Sequence, residues 1–461
     1  MEKVRFIFMM KRIFLYFLFM AALLTSCTDD DSFTTSRSAR LSFSADTLQM
    51  DTVFSNVGSS TYTFWVYNHS NDGLRLSSVR LKSGNQTGFR VNVDGSYLDN
   101  SLGSVVTDLE VRKGDSLLVF VELTAPENDQ LEPVAVEDQL LFQLESGIEQ
   151  QVCLRAFSWD AVKMTDIKIT RDTLIESPKP LVLYGTGLEV DSGVVLTLRS
   201  STLYFHDGAG LTVNGRLEAD HVLMRGDRLD RMFTYLPYDR VSGQWRGISF
   251  TRTSDRNTMT DCEIRNAYCG ILLSDSAQLD STVQRLTLTR CIIHNAKGPG
   301  LAAWHSNLGV YYCQLSNTLG DCLALYGGIC EIDHTTLAQF YPFSADRGAA
   351  LRFTDGGSGL RLIFRGSIAT GYEEDVVMGE RSVQQSDADP QLAPSFDYLF
   401  EDCLLRTPAV ADDTVSFRNI IWETPKDSIQ GKQHFRIIDE ENLYYDFHLD
   451  SLSTAQGKGC Y

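Results

Sequence analysis

The sequence predicts an all-β protein: an immunoglobulin-like β-sandwich over residues 39–160, then a parallel β-helix, a single-stranded solenoid, over 165–420. Three observations predict it. Runs of alternating apolar and polar residues, broken by Gly, Asn and Asp turns, fill the first part without helical periodicity. A motif built around one cysteine recurs through the second part at near-constant spacing. Gly (34), Tyr (18) and Phe (25) are plentiful and Pro (11) is scarce, a balance that leans toward sheet.

The N-terminus carries an address. Lys11-Arg12 is followed by an apolar run from Ile13 to Leu24 and then Thr25-Ser26-Cys27. A basic start, a short apolar core and small residues before a cut describe a secretory signal over 1–26. The run is too short to span a ~30 Å hydrocarbon layer as a helix. Met10 is an alternative start to Met1. Leu24-Thr25-Ser26-Cys27 resembles the bacterial lipobox, which implies that Cys27 is acylated, palmitate included, and becomes the new N-terminus. The acidic run Asp29-Asp30-Asp31 resembles the surface-export signal of Bacteroidetes lipoproteins; a solvated linker is the other reading. Residues 27–38 are polar and read as a lipidated tether with nothing to bury. The expected location is the outer membrane, lipid-anchored and facing the cell exterior.

The net charge of −19 becomes −22 once residues 1–26 are removed, with 37 basic against 59 acidic side chains. Phosphate binding needs clustered Lys and Arg, so a nucleic-acid partner is excluded. Simple adsorption to an anionic membrane or acidic glycan is disfavoured for the same reason. A monomer is expected.

In the sandwich, the alternating runs lie around Phe64–Tyr67, Leu117–Leu123 and Gln139–Leu144, with turns at Asn71-Asp72-Gly73, Asp94-Gly95, Lys113-Gly114-Asp115 and Ser146-Gly147. Short strands at this spacing indicate two packed antiparallel sheets. Cys153 reads as a buried free thiol in the last strand. The module is expected to act as a spacer or interaction unit.

In the second module, Asp261-Cys262-Glu263-Ile264-Arg265-Asn266 is repeated as Arg290-Cys291-Ile292-Ile293-His294-Asn295 and Tyr312-Cys313-Gln314-Leu315-Ser316-Asn317. Looser copies follow at Thr335-Thr336-Leu337, Gly366-Ser367-Ile368 and Asp402-Cys403-Leu404. The steps from Cys262 to Cys291, Cys313 and Thr335 are 29, 22 and 22 residues. A second strand keeps its place in each copy: Ile271-Leu272-Leu273, Leu301-Ala302-Ala303-Trp304, Leu323-Ala324-Leu325-Tyr326. Residues 181–224 read as opening coils. One coil cannot bury its own inner face, so coils stack ~4.8 Å apart. The cysteines then form an inward ladder of small apolar side chains, and Asn266, Asn295 and Asn317 occupy turns that suit left-handed backbone. Nine cysteines follow Cys27, an odd number, and a ladder rather than a disulfide framework accounts for them.

The order of lipobox, sandwich and β-helix resembles a group of Bacteroidetes surface lipoproteins with a pectate-lyase-like right-handed β-helix. The matching stretches include Thr52–Ser59, Asp115–Glu122, Tyr204-Phe205-His206, Gly226–Leu229 and Gly243–Ile248. The resemblance implies architecture and address and supplies no reaction. Residues 421–461 are expected to cap the last coil; the usual closing strand of the group is missing, so the cap differs or the gene is truncated.

Enzymes on this fold use carboxylates on adjacent coils, for Ca²⁺ or for acid/base work. The outward columns here read Asp261, Arg290, Tyr312; Glu263, Ile292, Gln314; and Arg265, His294, Ser316. No column stacks two carboxylates, so no catalytic residue, metal site or cofactor is assigned, Ca²⁺ included. His294, His305 and His334 read as separate exposed turns. The insertion Arg225–Gly243 is a long loop of the kind that carries function. Its Arg228, Tyr235 and Tyr238, with Arg246 beyond it, are candidate ligand contacts. So is the outward pair Trp304 and Tyr326, one coil apart, whose alternative role is packing under the 340–348 or 371–395 insertions. Non-catalytic glycan binding or adhesion is the leading expectation, with polysaccharide as the ligand; a polysaccharide lyase or glycoside hydrolase, working through Arg246 or Asp261, is the rival.

Replacing Cys27→Ser moves the protein from the membrane to the soluble fraction and abolishes palmitate labelling. Retained membrane attachment in the variant refutes a lipid anchor at this residue.

Overall fold

The computed structural model describes residues 32–275, 282–381, 394–410, 412–423 and 430–461. Cys27 and the signal segment lie outside the described residues. The chain forms two compact units. One takes residues up to Met50, Gly58–Ala125 and Ala135–Ala156. The other takes Asp51–Val57, Pro126–Val134 and Phe157–Tyr461. Among the described residues no helix is long and apolar enough to cross a membrane.

The first unit is built on two five-stranded sheets. In one, Tyr62–Tyr67 and Phe89–Val93 flank Ser116–Leu123 antiparallel; in the other, Leu74–Leu81 lies antiparallel between Val105–Val111 and Val134–Leu144. Alternating burial along these strands places Phe64, Val66, Val119, Val121 and Phe142 between the sheets. Cys153 differs from expectation: it is free but only half-buried, on the outward side of its strand. The segment expected as tether also ends early. Ser32 and Thr34 exchange backbone hydrogen bonds with Gly73, and the Phe33 ring lies beneath the Arg75 guanidinium at 4.3 Å. A Cβ on Gly73 would come within 2.7 Å of that ring, so glycine is needed there.

The second unit is the β-helix. It opens with Val162–Ile169, paired parallel to Leu181–Val190, and runs to Ile421–Trp422. Each coil contributes to three sheets. Sheet I stacks residues 216–220, Asn257–Thr260, Leu286–Thr289 and 308–311. Sheet II stacks Glu263–Arg265, Ile292–His294, Gln314–Ser316, Thr336–Gln339, Ile368–Gly371 and Leu404–Leu405. Sheet III stacks Ile248–Phe250, Ile271–Leu273, 301–304, 323–326 and Leu351–Thr354. The looser motif copies therefore fall in register with the three clear ones. The interior is aliphatic in the middle and aromatic toward the C-terminal end, where Phe400 stacks on Phe417 at 5.2 Å. Trp245 fills the interior near Phe205 at 4.2 Å and donates its indole N–H to the Arg265 carbonyl.

Two corners explain the motif. Between sheets I and II one residue per coil has positive φ: His221, Asp261, Arg290, Tyr312, His334, Gly366, Asp402. The next residue points inward. Its side chain is more than an apolar filler, because it accepts from the backbone of the preceding coil: Cys291 N–H to Cys313 Sγ (3.3 Å), Cys313 N–H to Thr335 Oγ1 (3.3 Å), Thr335 N–H to Ser367 Oγ (2.9 Å). This is why Thr and Ser replace Cys without breaking the ladder. All nine described cysteines are free, and burial pushes the Cys403 thiol up to about 12. At the corner after sheet II, Asn266, Asn295 and Asn317 have φ of 61°, 59° and 52°. Asn266 does not bond to the asparagine above it; its amide donates to the Asp239 and Val241 carbonyls.

At the corner before sheet I, Arg285 is 4% exposed and donates to the Ser254, Ser274 and Thr251 carbonyls and to Ser306 Oγ. Ser254 and Ser306 are buried, and Thr251 and Ser274 are half-buried just past the ends of Ile248–Phe250 and Ile271–Leu273. Arg285→Met strands these oxygens, and an unsatisfied buried polar group costs about 1–3 kcal/mol. The variant's urea midpoint drops accordingly; an unchanged midpoint removes Arg285 from the scaffold.

Candidate functional site

The outer face of sheet II changes character along the stack. Glu263–Arg265 and Ile292–His294 are buried only at their central, inward residue. From Gln314–Ser316 to Leu404–Leu405 every residue of the sheet is buried, and only the last rung, Ile421–Trp422, is half-buried. The cover is the C-terminal segment, which corrects the expected cap. Residues 430–461 turn back along the sheet as a short helical turn, the antiparallel hairpin Phe435–Asp439/Tyr444–Leu449 and a final loop. Phe435, Phe447 and Ala455 pack on Ala338, Phe340, Ile368 and Leu404 in a second core. Gly459 N–H bonds the Gly366 carbonyl, Cys460 N–H bonds Thr336 Oγ1, and Tyr461 Oη bonds Gln314 Oε1 at 2.8 Å. A buried group locks the segment: Glu423, beside Arg406 (3.6 Å) and His434 (3.4 Å), accepts from Thr370 at 2.6 Å.

The two uncovered coils form the floor of a cavity of about 410 Å³. Glu263, Arg265, Ile292 and His294 are the floor; Asp239 and Arg240 form one wall; Tyr444–His448 and Tyr461 form the others. Such a volume suits a small ligand, for which pockets run ~300–1,000 Å³. Arg265 forms an ion pair with Glu263 and lies 3.4 Å from Asp239. Asp239 also meets Arg225 at 2.8 Å and Arg240 at 4.0 Å. Burial alone would lower the Arg265 pKa, but Glu263 and Asp239 outweigh it and hold the guanidinium charged. His294 Nδ1 lies 2.9 Å from Ser316 Oγ, with the Tyr445 and Phe447 rings at 6.0 and 6.4 Å. Burial first, then the Arg265 and Arg240 charges, push His294 down to about 3, so the imidazole is neutral. The Tyr445 hydroxyl is buried and has no hydrogen-bond partner among the described residues. Planar polar side chains beside aromatic faces are the chemistry that recognises hydroxyl-rich rings.

The residues singled out from the sequence fall elsewhere. Arg228 grips Asp230 with both nitrogens (2.7 and 2.6 Å) and lies 3.9 Å over the Tyr238 ring. Tyr235 is 77% exposed and stacks on Phe233 within the insertion's own hairpin. Arg246 donates to the Thr186 carbonyl. None of the four lines the cavity. Trp304 and Tyr326 do stack, at 4.7 Å and 16°, on paired positions of sheet III. They are half-buried and lie on a different sheet from the cavity. Of the alternative cover, residues 382–393 lie outside the described residues. The three histidines are apart as expected, but His294 is on the cavity floor rather than on an exposed turn. His305 meets Asp275 and the Gly356 carbonyl, and His334 stacks on Tyr312. Missed from the insertion were Asp239 and Arg240, next to Tyr238; missed elsewhere was the whole C-terminal wall. The signal that marks the wall is the outward apolar series Ala338, Ile368, Leu404, which needs a cover.

One further group was also missed. Asp220, His221 and Asp261 bring ligand atoms within 4.8 Å of one another. The first two precede the clear repeats and so escaped the column alignment. Arg290 already holds both Asp261 oxygens, at 2.7 and 2.6 Å, so the group reads as a surface charge ladder along the corner.

Comparison with known proteins agrees on the scaffold. The family model for a right handed beta helix region matches residues 162–319. That is a right-handed solenoid. The match spans less than half of the chain. No curated protein matches it. Among solved structures, the chain is similar to a PapD-like domain of human CEP192 (11% identity, 28% of this chain and 91% of that one, TM-score 0.19). A family 123 glycoside hydrolase from Clostridium perfringens matches at 7% identity over 28% of this chain and 30% of its own, TM-score 0.19. A GH87 alpha-1,3-glucanase from Streptomyces thermodiastaticus strain HF3-3 matches at 9% over 74% and 88%, TM-score 0.16.

The neutral His294 makes stability pH-dependent. Unfolded, its pKa is near 6.5; folded, it is about 3. Between these values the unfolded chain binds a proton that the folded chain refuses, so stability falls as pH drops below about 6.5, by at most about 1.4 kcal/mol per pH unit. Thermal unfolding from neutral to acid pH shows this loss, and His294→Gln flattens it; identical profiles for both proteins refute the burial of a neutral imidazole.

Proposed function

We propose that the protein is a lipoprotein anchored through Cys27 in the outer membrane, facing outward, that binds glycans without cleaving them. The observation that carries the glycan reading is the cavity on sheet II, where Arg265, Glu263 and neutral His294 meet the rings of Tyr444, Tyr445 and Tyr461. Its volume and mixed lining suit a polyhydroxylated ring better than an apolar ligand. The signal segment and lipobox-like motif support the address.

Catalysis is the second reading, because Asp239, Glu263 and Asp446 line the same cavity. A general acid needs a raised pKa. For Asp446, burial acts upward, but bonds from the His448 N–H and ring prevail and hold it below the usual carboxylate range. Glu263 is engaged by Arg265. Both features favour binding.

Binding to a glycan array tests the reading. Arg265→Gln weakens sugar binding at least tenfold, ~1.4 kcal/mol, whereas Trp304→Ala leaves it within about twofold. The opposite order transfers the site to sheet III, and steady release of reducing or unsaturated ends overturns the non-catalytic assignment.

A further inference from the structure

The cavity is walled along the coil axis in both directions. On the preceding coil Arg225 is held by Asp239 at 2.8 Å and lies 5.6 Å over the Tyr204 ring, so the insertion closes that side. On the following coil Tyr461 bonds Gln314 at 2.8 Å, and the rungs of sheet II beyond it are buried as far as Leu404–Leu405. Across the sheet, Arg240 reaches the Leu443 carbonyl and shuts the asparagine-corner side. Coils stack ~4.8 Å apart, so two open coils leave a floor about two such spacings long. That length holds one or two sugar rings. A polysaccharide laid along the helix meets protein at both ends, and three closed sides leave end-on entry.

The charges narrow the ligand further. Two guanidiniums, Arg240 and Arg265, face three carboxylates, Asp239, Glu263 and Asp446, and both guanidiniums already have acidic neighbours. An acidic sugar would have to displace those pairs and approach a lining whose carboxylates outnumber its guanidiniums. A neutral ring enters the same lining without that cost.

Resting on the glycan-binding reading, we infer that this cavity recognises the end of a neutral glycan chain, one or two sugar units deep, and not an internal or acidic stretch.

The test uses the whole chain in detergent. An array of neutral and uronate-containing oligosaccharides identifies the bound sugar, and that sugar is then offered as a polymer, as the same mass of polymer after partial cleavage, and as its disaccharide. The expected result is capacity rising in proportion to the number of chain ends, full competition by the disaccharide, and acidic counterparts bound at least tenfold more weakly. Capacity that follows mass rather than ends, or a preference for uronates, overturns this inference and leaves the glycan reading standing. Failure of any sugar to bind overturns both.

Discussion

The corner between sheets I and II is the constraint on which the rest of the second unit depends. One residue per coil takes left-handed backbone, at a cost of roughly 1–2 kcal/mol for a non-glycine residue. The residue after it turns inward and receives the N–H of the preceding coil, through sulfur at Cys313 and through oxygen at Thr335 and Ser367. The strain is offset by a hydrogen bond that forms only when coils stack in one register. Because side chains alternate along a strand, a slip of one residue would turn Glu263, Arg265 and His294 inward and Ile264 and Ile293 out. The ladder therefore sets which side chains reach the cavity floor.

This explains what could be read from the sequence. The ladder is periodic, so Cys262, Cys291 and Cys313 reveal it, along with the asparagine turns and the columns Glu263–Ile292–Gln314 and Arg265–His294–Ser316. Copies with Thr335 or Ser367 are legible too, because a hydroxyl and a thiol do the same job. The cavity walls are not periodic. They are made by pairs such as Tyr461 with Gln314 and Arg240 with Leu443, separated by 147 and 203 residues. No local pattern records such a contact. The insertion misled for a related reason: its most conspicuous side chains, Arg228 and Tyr238, satisfy each other and Asp230 close by. The less conspicuous Asp239 is left to bridge to Arg225 and Arg265.

Asp239 is also where the electrostatics of the unit concentrate. In a chain of net charge −19, three guanidiniums gather around one carboxylate. Exposed ion pairs contribute little individually. Here they share a partly buried partner, so moving Asp239 would leave Arg225, Arg240 and Arg265 repelling one another beside neutral His294. The insertion, the floor and the C-terminal hairpin are thereby tied through one side chain.

The outward chemistry of sheet II shows that the cover belongs to the fold. On the two open coils the outward residues include Glu263, Arg265 and His294. Beyond them the outward series includes Ala338, Ile368 and Leu404, which join Phe435 and Phe447 in a core of their own. Uncovered, that series would be a contiguous apolar strip on a stacked sheet, the kind of surface that drives association. A segment that came away readily would expose it, and the buried Glu423, flanked by Arg406 and His434, would lose its partners in the same step. The hairpin is thus held by the apolar anchors Phe435 and Phe447, with Ile438, Tyr445 and Leu449 packed beside them, and by polar contacts on either side of it. The covered coils still carry outward polar residues, Gln314, Ser316, Thr336 and Thr370, but these are buried, Gln314 and Thr336 being bonded by the returning chain, so the size of the cavity is set by where the C-terminal segment stops covering the sheet, at the Tyr461–Gln314 contact.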